Sequence, residues 1–453
     1  MLSGEYNFLV DNMWLAEIIA VLLLIIPFFL FFADKKWIFG YYVASIVANL
    51  PLIFVMVFEF PYEIIVALVA VASLIRDAAR NKNFLFLYTK ESRNVFLSLC
   101  GLLALNLVSS FFHFSQDAFI ARAYIYLTNL FILVVFSLFL VNRNRLQVLR
   151  FGFVIGALIL VVSMIVELVY GYRHLGVGRL RPGGLLLDPN VAAFALNLSL
   201  LLSFYQTKKT KLLLDLFFIA SRIIIVFGIF MTVSRSGYIL TLLLLSAFLV
   251  EYSRGKKRHV APITVGTILI LYLTFYKILN KAWDNLYLML DLQRVFPKAQ
   301  TGPELPGPAV PGNLHSESRF ELLVAGVKVF LNNFSVGVGI GNVTAAVEEL
   351  TGMRQNTHNL VLQLLCESGI FMLVMLLVLF YYLVNLIGKS EKKERFFLSL
   401  ILLVVVVESF FNHNMLNINI VYLLLAFYLA LNVLHSKEQR AMSLGQIKNR
   451  FRK

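Results

Sequence analysis

The sequence predicts an all-α fold, a polytopic transmembrane helix bundle of about 12–13 spans with one large, partly helical loop on the outer side. Three observations predict it. Of 453 residues, 60% are hydrophobic and 14% charged, whereas soluble domains run at about 45–50% and 25%. Nearly uncharged apolar runs recur from Trp14 to Leu434, each long enough to cross a hydrocarbon core about 30 Å thick. Finally, the basic clusters between those runs all fall on one side of the membrane. The net charge of +15, from 40 Lys+Arg against 25 Asp+Glu, therefore sets topology and meets membrane lipid headgroups. It does not argue for nucleic acid.

In chain order, apolar stretches predict spans near 14–33, 37–58, 61–75, 95–113, 122–141, 151–171, 190–206, 212–232, 237–252, 260–279, 358–387, 396–411 and 418–434. With thirteen spans, the clusters at Lys35-Lys36, Arg76 to Arg93, Arg143 to Arg150, Lys208 to Lys211, Arg254 to Arg258, Lys389 to Arg395 and beyond Lys437 share the cytoplasmic side. The N-terminus is then outside. Merging or losing one of the first three spans would give twelve, with the N-terminus inside. The first apolar run lacks a basic segment before Trp14 and reads as an uncleaved helix. The organisation expected is ten helices with short loops over 1–279, a large outer loop over 280–357, the C-terminal helices over 358–434, and a basic cytoplasmic tail over 435–453.

The large loop divides by composition. Ala282 to Phe296 has the pattern of an interfacial helix. Pro297 to Pro311 holds five of the eleven prolines and is expected to be extended. Order returns at Glu317 and Glu321, acidic residues that suit the start of a helix through Leu331. A glycine-punctuated turn, Gly337-Val338-Gly339-Ile340-Gly341, and a short helix from Val343 to Leu350 lead toward His358.

Four outer places combine charge with backbone breaks. The first is Gly178-Arg179-Leu180-Arg181-Pro182-Gly183-Gly184, followed by Asp188-Pro189-Asn190. Its glycines free the backbone to approach a ligand, and its two guanidiniums can each hold a phosphate bidentately. Headgroup anchoring is the competing role, and Asp188-Pro189 is also good helix-start chemistry. The second is the short connection Thr232-Val233-Ser234-Arg235-Ser236-Gly237, too tight for its arginine to wander. The third, Ser318-Arg319-Phe320-Glu321, opens the ordered half of the large loop, where Arg319 either serves a site or pairs with Glu317 or Glu321 at an exposed helix end. The fourth is Thr357-His358-Asn359, then Glu367-Ser368-Gly369. His358 has the side chain whose ordinary pKa suits a general base near neutrality, although an isolated histidine there is more often interfacial. Glu367 lies about 13–14 Å further along a helix, too far to partner His358, and is expected to contact another helix. Arg222, in mid-span, either snorkels or marks a later helix start.

Several chemistries have no support. Cys100 and Cys366 both lie in apolar runs, which excludes a disulfide framework and a cysteine metal site. There is no Asp-x-Asp, no His-Glu-x-x-His and no phosphate-binding Gly-x-x-x-x-Gly-Lys. No metal and no cofactor is expected, and arginines supply the positive charge.

Taken in this order, Gly178-Arg179 with Pro189-Asn190, Ser234-Arg235-Ser236-Gly237, Arg319 with the glycine-rich turn, and His358-Asn359 with Glu367-Ser368-Gly369 resemble the O-antigen ligase and polymerase family of bacterial membrane proteins. The resemblance covers about residues 170 to 385. It implies a glycosyltransferase of lipopolysaccharide biosynthesis in the bacterial cytoplasmic (inner) membrane, with its large loop and active site facing the periplasm. The donor would be an undecaprenyl-diphosphate-linked glycan and the acceptor a glycan or lipid A-core. Arg179, Arg181, Arg235 and Arg319 would bind the pyrophosphate, Arg319 would also assist catalysis, and His358 would act on the acceptor hydroxyl, with inversion and without metal. A polymerase would use the same donor site. A lipid-linked sugar flippase is a different class, which would place charges at several depths along a cavity.

Overall fold

The protein is described by a computed structural model covering residues 13–33, 35–58, 68, 71, 89–111, 116–140, 143–170, 181–205, 212–253, 317–352 and 355–450. The expected spans near 61–75 and 260–279 lie almost wholly outside these residues, as does the proline-rich stretch. Every regular element among the described residues is a helix. In order they are α1 (Met13–Ala33), α2 (Lys35–Ala48), α3 (Pro51–Phe58), α4 (Lys90–Ser109), α5 (Gln116–Phe139), α6 (Arg143–Tyr170), α7 (Pro189–Ser203), α8 (Leu212–Met231), α9 (Arg235–Ser253), α10 (Glu317–Asn332), α11 (Val343–Thr351), α12 (Leu360–Ser368), α13 (Ile370–Gly388), α14 (Lys392–Ser409) and α15 (Asn419–Arg450). Five of them, α4, α5, α6, α8 and α13, have stretches long and apolar enough to cross a membrane, and α1, α2, α7 and α15 contribute shorter apolar segments. The chain is an all-α, multi-pass membrane bundle.

The central post is α7. Its residues are buried almost all round, as expected of a helix surrounded by others, and it packs on α6, α8, α9 and α14. Its ends explain why so short a helix is stable there. At the N-terminus Asp188 accepts a hydrogen bond from the Asn190 N–H at 2.7 Å, and Pro189 occupies the first turn. At the C-terminus Arg150 and Arg222 both donate to the Ser203 carbonyl, at 2.7 and 2.8 Å. Their guanidiniums also lie over Phe218 and Phe204. An acid at the N-terminus and cations at the C-terminus each stabilise the helix dipole by about 0.3–1 kcal/mol, up to about 2 when partly buried. Arg222 therefore sits inside α8 and reaches across to close a neighbouring helix.

Two expected spans are broken. The 37–58 stretch turns at Asn49-Leu50, where Asn49 has φ 55° and donates from Nδ2 to the Leu185 carbonyl at 2.6 Å. The 358–387 stretch divides at Gly369 into α12 and α13. The break holds the glycine-rich turn. Val338 and Gly339 donate their N–H groups to the carbonyls of Cys366 and Glu367 at 2.8 and 3.0 Å, which satisfies the end of α12. A Cβ on Gly337 would stand 2.4 Å from the Glu367 backbone, so only glycine allows this approach. Together α10, α11 and α12 enclose a small second core around Leu322, Val329, Val343, Val347 and Leu362.

The two ends of the bundle differ chemically. At one, Lys389 pairs with Glu91 and Thr89 bonds Asn432, among the basic clusters. From there α4 runs about 24 Å to Asn106 and α13 runs back about 28 Å to Gly369, reaching the end where the polar groups converge.

Candidate active site

Two side-chain clusters meet at this end. The first joins the loops before α7 and α9. Arg181 donates from Nε to the Thr232 carbonyl at 3.3 Å and from Nη2 to Asn190 Oδ1 at 3.2 Å. Ser234 Oγ donates to the same Asn190 oxygen at 2.9 Å and lies 3.1 Å from Ser236 Oγ. Arg235 is the first residue of α9 and is exposed. A cation is unfavourable at that end of a helix dipole, so its position there is not explained by helix stability. The N–H groups of the first turn and the guanidinium share one preference, for an anion.

Gly183 and Gly184 of the first loop do something other than face a ligand. Gly183 and Gly184 donate their N–H groups to Glu167 Oε2 at 3.0 and 2.6 Å. Gly184 has φ 57°, and a Cβ there would stand 2.4 Å from Ser163 Oγ. They bind the loop to α6, and Arg181 is aimed from a fixed base.

The second cluster surrounds His358. Asn359, not His358, caps α12, accepting the Leu362 N–H at 2.9 Å. His358 stands just before it at φ 52°. Its ring meets that of His413 edge-on, centroids 5.4 Å apart and planes at 84°. Beneath them Glu367, fully buried, accepts from Asn106 Nδ2 and Gln363 Nε2, both at 2.9 Å, and lies 3.5 Å from Arg122 Nη2. Glu367 thus contacts other helices, through α4 and α5. Arg122 also donates to Asn417 Oδ1 at 3.0 Å. Burial first, then the neighbouring His358 and Arg122, push the His413 imidazole down to about 4; it is neutral near pH 7.

The end of α14 joins the clusters. Glu408, fully buried, lies near Ser236 and Asp188, with neither carboxylate oxygen hydrogen-bonded among the described residues, and five residues later the His413 ring meets that of His358. Asn412 donates to the Glu408 carbonyl at 2.9 Å, so the segment is a turn. Even extended it would reach no more than about 18 Å.

Backbone strain gathers here too. Among the described residues four non-glycines have left-handed φ, and three of them flank this end: Leu187 at 67°, Val233 at 49° and His358 at 52°. For a β-branched residue such as Val233 this is a marked outlier. Such conformations cost about 1–3 kcal/mol each and cluster at functional sites.

Of the site residues read from sequence, Arg181, Arg235 and His358 are all at this end. Arg319 occupies the first turn of α10, with its side chain outside the described part, and Arg179 lies outside the described residues. Among those described, no three His, Cys, Asp or Glu side chains converge as a metal site.

Residues 220–377 match the sequence model described as O-antigen ligase. Over these residues, about a third of the chain, the protein is similar to the O-antigen ligase family. No curated protein matches the chain. The matched stretch includes Arg235, Arg319, His358 and Glu367. It excludes Arg181, Arg122, Glu408 and His413, which the fold brings to it. Sequence reasoning passed over these last three. Arg122 carried a faint signal, a single cation opening an apolar run, and His413 lay in the polar break Asn412-His413-Asn414 between two apolar helices.

Proposed function

We propose that the protein is a membrane glycosyltransferase of the O-antigen ligase type, which moves a glycan from undecaprenyl diphosphate to an acceptor sugar hydroxyl on lipid A-core. The reaction takes place at the periplasmic face of the bacterial inner membrane. The observation that carries this reading is the turn at the end of α14, which joins an arginine-and-serine cluster suited to pyrophosphate with a histidine suited to a hydroxyl. The basic clusters at the opposite end support a site on the outer side.

In this reading Arg179, Arg181, Arg235 and Arg319 hold the donor pyrophosphate. Arg181 engages Nε and Nη2 on Thr232 and Asn190, so it also braces the loops that present Arg235. As the bond from the anomeric carbon to the pyrophosphate oxygen breaks, negative charge grows on the leaving group, and fixed guanidiniums stabilise it without reorganising. The acceptor oxygen forms the new bond from the opposite face, so the configuration inverts. Its proton passes to His358. Undecaprenyl diphosphate leaves, and no metal or nucleotide takes part.

The test uses purified protein in lipid nanodiscs with a defined undecaprenyl-diphosphate oligosaccharide, in excess chelator, and offers lipid A-core or a second lipid-linked unit. An inverted product on lipid A-core is expected. Extension only of the lipid-linked unit would make the protein a polymerase using the same donor site. Retention of configuration, or loss of activity that one divalent ion restores, would overturn the mechanism.

A further inference from the structure

His413 lies outside the matched family stretch, yet it is the residue whose ring meets His358. We propose that His413 is a positioning residue for His358, a ring clamped in one orientation that holds the His358 imidazole edge-on in its working direction. The proposal rests on the reading of His358 as the group that takes the acceptor proton.

The clamp is built from residues on three elements. Thr344, in the first turn of α11, donates from Oγ1 to Asn356 Oδ1 at 2.7 Å. That contact leaves the amide nitrogen of Asn356 as the group 3.0 Å from His413 Nε2. An amide nitrogen only donates, so Nε2 accepts and the single ring proton of neutral His413 sits on Nδ1. The tautomer and the ring plane are thereby set from the loop. Asn356 and His358 are two residues apart and both meet the same ring. The His413 ring is a two-point gauge for the segment that carries His358.

Three further observations favour positioning over simple packing. His358 has φ 52°, a conformation that persists only when its surroundings over-determine it. His413 Nδ1 is buried with no hydrogen-bond partner among the described residues, an expense that a packing ring such as phenylalanine would avoid. The charged groups around the pair are already committed: Arg122 faces it from α5, tied to Glu367 on α12 and to Asn417. His413 therefore acts on His358 through contact and orientation, not as a second base.

A residue that works only through another should lose its effect when the other is removed. Single-turnover transfer from pre-bound lipid-linked donor is measured for His413→Ala, His358→Ala and the double variant, alongside donor affinity. The expected result is a loss of about 10–100-fold in rate for His413→Ala, the scale of a misplaced reacting group. Donor affinity should stay within about threefold on the same argument, because the arginines are elsewhere. The double variant should be no slower than His358→Ala alone. Should His413→Ala fail to fold, His413→Gln, which keeps an acceptor for Asn356 but removes the ring, carries the same cycle. Losses that multiply in the double variant, or a His413 variant that turns over like wild type, overturn the proposal. A wild-type rate in His358→Ala instead overturns the assignment of His358 as base, and the two failures are distinguishable.

Discussion

Replacing Glu367 with leucine should destabilise the protein far more than replacing Glu367 and Arg122 together. The carboxylate is fully buried, accepts two hydrogen bonds at 2.9 Å and faces Arg122 at 3.5 Å, whose side chain is only 17% exposed. Removing the acid leaves a nearly buried guanidinium without its counter-charge, a loss of about 3–5 kcal/mol. It also strands the amides of Asn106 and Gln363, each worth about 1–3 kcal/mol if left unmet. Some of that is recovered as side chains turn toward Ser368 Oγ, already 3.0 Å from Asn106. We expect a net loss of roughly 3–5 kcal/mol for Glu367→Leu. The double variant Glu367→Leu/Arg122→Met should regain about half or more, since apolar replacements of a buried pair are often neutral. Equilibrium unfolding in detergent micelles with denaturant measures both. A single variant within about 1 kcal/mol of wild type would refute the reasoning, because a surface pair is worth no more than that.

Other expectations follow from the same geometry. Arg235→Lys should fold normally and lose about 100 to 1,000-fold in transfer, since lysine keeps the charge but not the planar fork; near-wild-type turnover at matched expression would return Arg235 to headgroup anchoring. His413 should make stability depend on pH: its folded pKa of about 4 lies below the usual 6.5, so the unfolded state binds more protons between these values. Its contribution is fully present above about pH 6.5 and is lost as pH falls toward 4. Unfolding midpoints followed from pH 7.5 to 4 should fall more steeply for wild type than for His413→Gln, and parallel curves would contradict this. Asn414, exposed in the turn after α14, should label from the outer side when changed to cysteine and treated with an impermeant thiol reagent, and labelling from the cytoplasmic side alone would reverse the topology.

The helices were legible because a bilayer demands apolar length, and that demand is written locally. So were Arg181, Arg235 and His358, which stand where apolar runs break. Their partners were not. Asn106 and Glu367 are 261 residues apart in sequence, and nothing in the local pattern of either names the other. Glu167 reads as an unwelcome acid near the end of a span until Gly183 and Gly184 are seen donating to it. Those glycines have the composition of a ligand loop, but their N–H groups serve α6. The break at Gly369 was hidden by hydropathy, since α12 and α13 are both apolar; it shows only once the turn after α10 is placed against the end of α12. His413 was passed over because its importance is a contact with His358, made through the fold alone.

The central claim is that the cations hold the donor and His358 serves the acceptor. It is tested most directly by measuring donor binding and single-turnover transfer side by side for wild type and His358→Ala, using one defined undecaprenyl-diphosphate glycan and lipid A-core. The account predicts donor affinity nearly unchanged and transfer from the bound state slowed about 100 to 10,000-fold, the range of general acid–base help. Weakened donor binding with an undiminished rate from the bound state would contradict it, and would make His358 a phosphate ligand.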